Sequence, residues 1–154
     1  MALFLSTFEN RIDKKGRVSV PSSFRAELSD EKFQGVVLFK SNRHQCLEGF
    51  PKSSMADISS RLDHFDIFSK TTQDDVAIAI FGSAVQLPLD GDGRIILPQA
   101  VMDFADLKDQ ACFVGLGAKF QIWSPELLSV RQKQAQENVV KDGFQLSKTG
   151  EHDA

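Results

Sequence analysis

The sequence predicts an α+β fold made of two tandem β-turn-β-helix-β-β units, each followed by a longer helix. The 154 residues have an ordinary globular composition, with 42 % hydrophobic and 25 % charged residues. A packed core is therefore expected, and disorder is excluded. A short motif occurs twice, and alternating apolar residues separated by turn residues follow each copy.

The repeated motif covers residues 13–21 and returns 77 residues later as residues 90–98. Aspartate, glycine, arginine and proline match at identical offsets. The apolar alternation also returns, because two valines of the first copy are replaced by Ile95 and Leu97. These matches fall on special residue types in the same order, so we interpret the chain as an internal duplication.

Each copy of the motif indicates a strand, a tight turn and a second strand. Residues 7–12 and 84–89 mix apolar and polar side chains as a strand does. Asp-x-x-Gly is turn chemistry, in which aspartate caps its own turn and glycine supplies a positive φ. Asp13, Gly16, Asp90 and Gly93 are therefore predicted to be structural residues of the two turns.

A short helix and two further strands are expected after each turn. The motif proline ends the second strand, and Ser22 or Ser23 caps the first short helix, whose core face is Phe24 and Leu28. Val101 and Ala105 occupy this face in the second copy. The further strands are predicted at residues 35–40, 46–50, 111–115 and 119–123.

The first of the two longer helices is predicted to begin at Ser53 or Ser54. Its apolar face has helical spacing and consists of Met55, Ile58, Leu62 and Phe65.

The second longer helix opens with Ser124 as its cap and Pro125 at its first position, followed by an acidic residue. It is expected to end near Lys141, where residues 142–143 provide a stop. The tail at residues 151–154 is expected to fray.

The segment between the halves has a polar part at residues 69–75 and an apolar part at residues 76–81. The apolar part is expected to be buried, although its periodicity leaves helix and strand open. The predicted divisions of the chain are a first repeat, a connecting helix and linker, a second repeat, and a C-terminal helix and tail. These span residues 7–53, 54–82, 83–125 and 126–154.

The doubled Asp-x-x-x-Arg motif in β-turn-β-Pro-helix units resembles the MraZ family and, more loosely, the AbrB-type swapped-hairpin DNA-binding domains. The resemblance runs from about Phe8 to Trp123, with the closing helix beyond. It implies that the two copies form a pseudo-two-fold, β-rich core. It also implies a transcriptional regulator, typically a repressor of the bacterial gene cluster for cell division and cell-wall synthesis. Closed ring-like homo-oligomers that bind short direct repeats of double-stranded promoter DNA are implied as well.

The charge distribution places a candidate DNA-binding site at the first turn. The net charge is −3, but residues 1–25 hold five cations against two acids, so the remainder is −6. Arg11 and Arg17 are candidate base or phosphate contacts, and Lys14 and Lys15 are candidate phosphate contacts. The alternative is that Asp13 and Arg17 pair across the turn and only hold the hairpin.

The second turn differs from the first in charge. Glycine and Asp92 replace the two lysines, which makes the loop acidic, and Arg94 is its remaining candidate for DNA binding. Our hypothesis is that the first copy binds DNA, whereas Asp90 and Arg94 mainly fix the fold or a subunit contact.

Other classes of function are disfavoured by the sequence. It has no nucleophile elbow and no phosphate-binding Gly-Lys-Ser/Thr loop, so an enzyme is not expected. His44 and Cys46 lack a second ligand pair at zinc spacing, so neither a metal nor another cofactor is predicted.

Cys46 and Cys112 are expected to be buried, reduced thiols. With no apolar run of membrane length and no signal peptide, the expected location is the cytoplasm, in association with the nucleoid.

Two rival interpretations remain open from the sequence. One is a ring-forming protein-interaction scaffold without DNA binding, because the 13 phenylalanines suit either a core or an oligomer interface. The other is the antitoxin role of some AbrB-type domains. It would predict one short domain with a toxin-binding tail, whereas this chain has two copies and a short tail.

Overall fold

A computed structural model describes residues 1–64, 68 and 71–147 of the chain. Within these residues, eight short strands alternate with five α-helices, and the third helix continues as a π-helical turn over Ile78–Gly82. The first half comprises β1 (Thr7–Arg11), β2 (Arg17–Ser19), α1 (Ser22–Glu27), β3 (Gly35–Lys40), β4 (Leu47–Phe50), α2 (Lys52–Leu62) and α3 (Gln73–Ala77). The second half comprises β5 (Val85–Pro88), β6 (Arg94–Ile96), α4 (Gln99–Ala105), β7 (Gln110–Gly115), β8 (Phe120–Trp123) and α5 (Pro125–Asp142).

The strands form one six-stranded antiparallel sheet and one separate two-stranded ribbon. The sheet order is β1-β7-β8-β4-β3-β5, and the ribbon consists of β2 and β6. The counterparts in the two repeats are β1 and β5, β3 and β7, and β4 and β8. When each strand is replaced by its counterpart, the same order is obtained, read from the opposite edge of the sheet. The architecture is therefore α+β with a pseudo-two-fold, β-rich core, which confirms the predicted fold class.

The two repeats exchange strands. β1 of the first repeat pairs with β7 of the second, with Phe8 opposite Phe113, and β5 pairs with β3. The ribbon also joins the repeats, with Val18 opposite Ile95. Each repeat therefore supplies strands that the other needs, and the two repeats share one core.

Aromatic residues dominate the larger core, between the sheet and α1. The ring of Phe24 lies 5.1 Å from that of Phe4 and 5.4 Å from that of Phe120, measured between centroids. Leu28, Val101 and Ala105 are buried with them, as their helical spacing predicted. The opposite face of the sheet has a smaller cluster, which consists of Cys46, Cys112, Trp123 and Leu128 of α5.

The starts of α1 and α2 correct the sequence prediction. The sequence predicted Ser22 or Ser23 as the cap of α1 and a start of α2 at Ser53 or Ser54. Pro21 and Pro51 are the N-cap residues instead, with extended backbones and no side-chain cap bond. Proline has its φ fixed near the value required there, so the helix begins directly after it. The cap of α5 agrees with the prediction, because Ser124 Oγ accepts from the backbone N–H of Leu127.

The apolar segment at residues 76–81 is helical, and the prediction of burial was wrong. Ile78 is 68 % exposed, and the other residues of the segment are half-buried. The segment packs on β3, and its Val76 and Ile80 line a groove together with the half-buried apolar face of α2. That face includes Ile58 and Leu62, whereas Phe65 and the tail at residues 151–154 lie outside the described residues.

Candidate nucleic-acid interface

The first turn is built around the carboxylate of Asp13. Its Oδ1 accepts from the backbone N–H groups of Lys15 and Arg17, both at 2.9 Å. Its Oδ2 accepts from Arg17 Nε at 2.6 Å. Gly16 closes the turn with a φ of 83°, in the left-handed region that favours glycine. Asp13 and Arg17 thus pair across the turn.

The second turn repeats this geometry atom by atom. Asp90 Oδ1 accepts from the backbone N–H groups of Asp92 and Arg94 at 2.8 and 3.0 Å. Asp90 Oδ2 accepts from Arg94 Nε at 3.1 Å, and Gly93 has a φ of 75°. The duplicated sequence therefore encodes one turn geometry twice.

The aspartates of both turns have lowered pKa values. For Asp13 the largest cause is the hydrogen bond from the backbone of Arg17, and for Asp90 it is the one from the backbone of Arg94. Hydrogen bonds to the charged form stabilise it, so both carboxylates are ionised at neutral pH.

The two turns lie at opposite ends of the β2–β6 ribbon. Gly16 O accepts from the backbone N–H of Leu97 at 2.9 Å, and Gly93 O accepts from that of Val20 at 3.0 Å. Each turn is therefore held against the strand of the other repeat.

The outer face of the ribbon presents four side chains. Val18 and Ile95 point into the core and are buried. Because side chains alternate along a strand, their neighbours point outward. These neighbours are Arg17 opposite Ile96 and Ser19 opposite Arg94.

The sequence reasoning identified the two arginines on this face but missed Ser19 and Ile96. Their signal was the alternation itself, since each lies between two buried residues at the end of a three-residue strand.

The first turn is basic at its surface. Lys14 and Lys15 are exposed and take part in no ion pair with the described residues. Within the same part of the chain, Arg17 uses its Nε on Asp13 and has no acceptor for its Nη groups. This turn therefore presents three cations against one acid.

In the second turn, the arginine makes more ion pairs than its counterpart does in the first turn. Arg94 Nη2 lies 3.1 Å from Asp92 Oδ2, in addition to the pairing of its Nε with Asp90. Two acids surround one cation, so the turn itself is acidic.

A further cation, Arg25 of α1, lies against the second turn. Its Nε donates to Val20 O at 3.1 Å, and a Cβ on Gly93 would come within 2.7 Å of its Cδ. The first repeat thus supplies a positive charge beside the acidic turn of the second. Strand exchange produces this contact, and no local sequence pattern signals it.

Arg11 is separated from the other candidate residues by the direction of its side chain. It is exposed on β1, where Phe8 packs against the larger core and Asn10 donates to Ser19 O. By alternation, Arg11 shares the opposite face with Glu9, whose carboxylate accepts from Cys112 Sγ. The structure therefore brings Lys14, Lys15 and Arg17 together but directs Arg11 away from them.

The residues considered for metal binding have other environments. Cys46 and Cys112 are free, buried thiols, and desolvation raises their pKa values to about 12 and about 11. The ring of His44 packs near Trp123, with 5.8 Å between centroids. Across the part of the chain that the structure describes, no group of three metal-ligating side chains occurs. In this same part, no helix is long and apolar enough to cross a membrane.

Comparison with known proteins identifies the family. The chain matches the model described as "MraZ protein, putative antitoxin-like" over residues 3–77 and 80–144. It is 42 % identical over 146 residues to the transcriptional regulator MraZ of Rickettsia akari, which covers 95 % of this chain and 97 % of the relative. The same-named protein of Rickettsia rickettsii is 44 % identical over 141 residues, covering 89 % and 94 %. That of Rickettsia bellii is 45 % identical over 127 residues, covering 82 % and 84 %.

The structure combines strands exchanged between two repeats with an Asp–Arg pair in the turn at each end of the ribbon. The chain belongs to the MraZ family, whose relatives reported above are named transcriptional regulators. The resemblance stated from the doubled motif is confirmed, and so is the prediction that the protein is not an enzyme.

Proposed function

We propose that the protein regulates transcription by binding double-stranded DNA with the outer face of its β2–β6 ribbon and the first turn. The observation that carries the proposal is the cluster of Lys14, Lys15 and Arg17 at one end of an exposed two-stranded ribbon. A ribbon of this kind fits the major groove of B-form DNA. The clustered cations are available for phosphates and bases.

The residues of the first turn have distinct proposed roles. Lys14 and Lys15 neutralise phosphates and release counterions. Asp13 holds Arg17 through Nε, which leaves the two Nη groups for a guanine edge or a phosphate. Thus the pairing of Asp13 with Arg17 and DNA binding are compatible, because one aspartate occupies only part of the guanidinium fork.

The second turn has a different proposed role. Arg94 is engaged by Asp90 and Asp92, so it mainly stabilises the turn or a subunit contact. The two acids also repel phosphate. Arg25, which lies beside this turn, moderates that repulsion.

The proposed assembly is a closed homo-oligomeric ring. One ribbon has a small footprint, and several ribbons on one ring would bind successive short direct repeats with a high effective concentration. Ring closure requires a heterologous interface. The exposed Ile78 and the half-buried apolar face of α2 support such an interface.

The proposed biological role follows from the family likeness. The protein would repress a bacterial gene cluster for cell division and cell-wall synthesis by binding direct repeats in its promoter. It would act in the cytoplasm, on the nucleoid. The same apolar face also favours the second candidate, a ring-forming protein-interaction scaffold that does not bind DNA.

Fluorescence anisotropy with DNA from upstream of the protein's own gene tests the proposal. The test variant combines Lys14→Gln with Lys15→Gln, and the matched control combines Lys133→Gln with Lys141→Gln on α5. We expect salt-dependent binding that prefers this DNA over a scrambled duplex. The log–log salt slope should fall by about 2 in the test variant alone, since each phosphate contact contributes about 0.9.

Two outcomes of this experiment would contradict DNA binding through the first turn. One is a wild-type protein that does not distinguish the upstream DNA from the scrambled duplex. The other is an equal change in both lysine variants. An assembled ring with no salt-sensitive binding would favour the scaffold.

A further inference from the structure

On the outer face of the ribbon, the two repeats have the same residue at one pair of equivalent positions, an arginine, and different residues at the other pair. Arg17 and Arg94 are counterparts in the two repeats, and so are Ser19 and Ile96. One repeat therefore places a small hydroxyl where the other places a large apolar side chain. The pseudo-two-fold symmetry of the backbone is broken at the surface.

Ile96 is unusually exposed for an isoleucine on a strand. It is 58 % exposed, although its strand neighbours Ile95 and Leu97 are buried. A Cβ on Gly16 would lie 3.8 Å from Ile96 Cγ2, so the side chain lies beside the basic first turn. Its cross-strand partner is Arg17, and directly opposed Cβ atoms are about 5 Å apart.

This position brings an apolar group into the proposed DNA-binding surface. In the major groove, the C5-methyl group of thymine is the apolar feature of the base edges. We propose that Ile96 is a specificity-determining residue that contacts a thymine methyl next to the base or phosphate bound by Arg17. This inference rests on the proposed function. It adds to that function the identity of the base that is contacted beside the first turn, a thymine.

The asymmetry has a consequence for the DNA site. Identical outward residues on both strands would let one ribbon bind in either orientation. Ser19 opposite Arg94 and Ile96 opposite Arg17 give the ribbon a direction, and the opposite charges of the two turns reinforce it. One ribbon therefore reads a non-palindromic sequence, as a direct repeat requires.

Replacing thymine by deoxyuridine removes only the C5-methyl group and so tests the contact directly. The probe is the upstream duplex with its thymines replaced one at a time. The variants are Ile96→Ser and, as an exposed apolar control outside the ribbon, Leu146→Ser. At one or more positions in each bound repeat, we expect wild-type affinity to fall about fourfold, the effect of burying one methyl group.

The variants should respond differently to the same probes. Ile96→Ser should lose about fourfold on the natural duplex and be indifferent to deoxyuridine at the sensitive positions. Leu146→Ser should retain the wild-type response. Because Ile96 points away from the core, Ile96→Ser should keep the wild-type thermal unfolding midpoint and oligomer size.

The outcomes separate this inference from the proposed function. Wild-type indifference to deoxyuridine at every position, or equal sensitivity in Ile96→Ser, would overturn the thymine contact while DNA binding stands. A smaller oligomer in Ile96→Ser would also overturn it, because Ile96 would then belong to a subunit interface. If the wild-type protein did not prefer the upstream DNA over the scrambled duplex, the proposed function would be contradicted instead.

Discussion

Replacing each motif arginine by alanine should reveal a division of labour between the two turns. Arg17 commits its Nε to Asp13 and keeps its Nη groups available, whereas Arg94 commits Nε to Asp90 and Nη2 to Asp92. The backbones of the turns are otherwise equivalent. Any difference between the variants in DNA affinity therefore reports on what the guanidinium groups do outside the turn.

The expected magnitudes follow from these contacts. Arg17→Ala should weaken specific binding by about 1–3 kcal/mol if the arginine reads a base, or lower the salt slope by about 1 if it binds phosphate. Arg94→Ala should change affinity about twofold or less. Arg17→Ala loses one partly exposed ion pair and Arg94→Ala loses two; exposed pairs of this kind contribute little, so both folding stabilities should shift little.

Fluorescence anisotropy at several salt concentrations measures both quantities, and thermal unfolding of each variant checks that it is folded. Equal losses of affinity in folded Arg17→Ala and Arg94→Ala would refute the division of labour. A larger loss in Arg94→Ala would reverse it.

Three substitutions and one measurement of thiol reactivity test the turns and the core. Gly16→Ala should lower the free energy of unfolding by about 1–2 kcal/mol in urea denaturation, because φ is positive and Leu97 O would lie 3.0 Å from the new Cβ. Gly91→Ala, with open space around it, should leave the stability unchanged. Cys46 is fully buried and desolvation raises the pKa of its thiol to about 12, so at pH 8 it should react with iodoacetamide much more slowly than a free cysteine until urea unfolds the protein. The pKa of Asp13 is lowered from 3.8 on folding, so its contribution to stability is present at neutral pH and is lost as the pH falls through the folded-state value. Asp13→Asn should therefore show a shallower loss of stability in acid, and an unchanged acid limb would contradict this role.

The local elements could be predicted from the sequence because their signals are local. The repeat of Asp, Gly and Arg encodes the same turn twice, and Ser124 with Pro125 marks the start of α5. The partner of each strand was not predictable, because alternation defines which face is buried but not which strand lies alongside. Only the resemblance implied an exchange between the repeats.

The limits at the candidate site have the same physical origin. Lys14, Lys15 and Arg17 lie on one turn, so sequence proximity was enough to group them. Arg25 and Ile96 reach the turns of the opposite repeat through strand exchange, which no local pattern encodes. The segment at residues 76–81 shows a related limit, since its apolar character predicted burial, whereas the structure leaves Ile78 exposed and the other residues half-buried.

Footprinting on DNA upstream of the protein's own gene tests the central claim most directly. The account predicts short, regularly spaced protected segments with the wild-type protein. Protection should be lost when Lys14→Gln and Lys15→Gln are combined and retained when Lys133→Gln and Lys141→Gln are combined. Unprotected DNA with folded wild-type protein, or the same footprint from both lysine variants, would contradict DNA binding through the first turn.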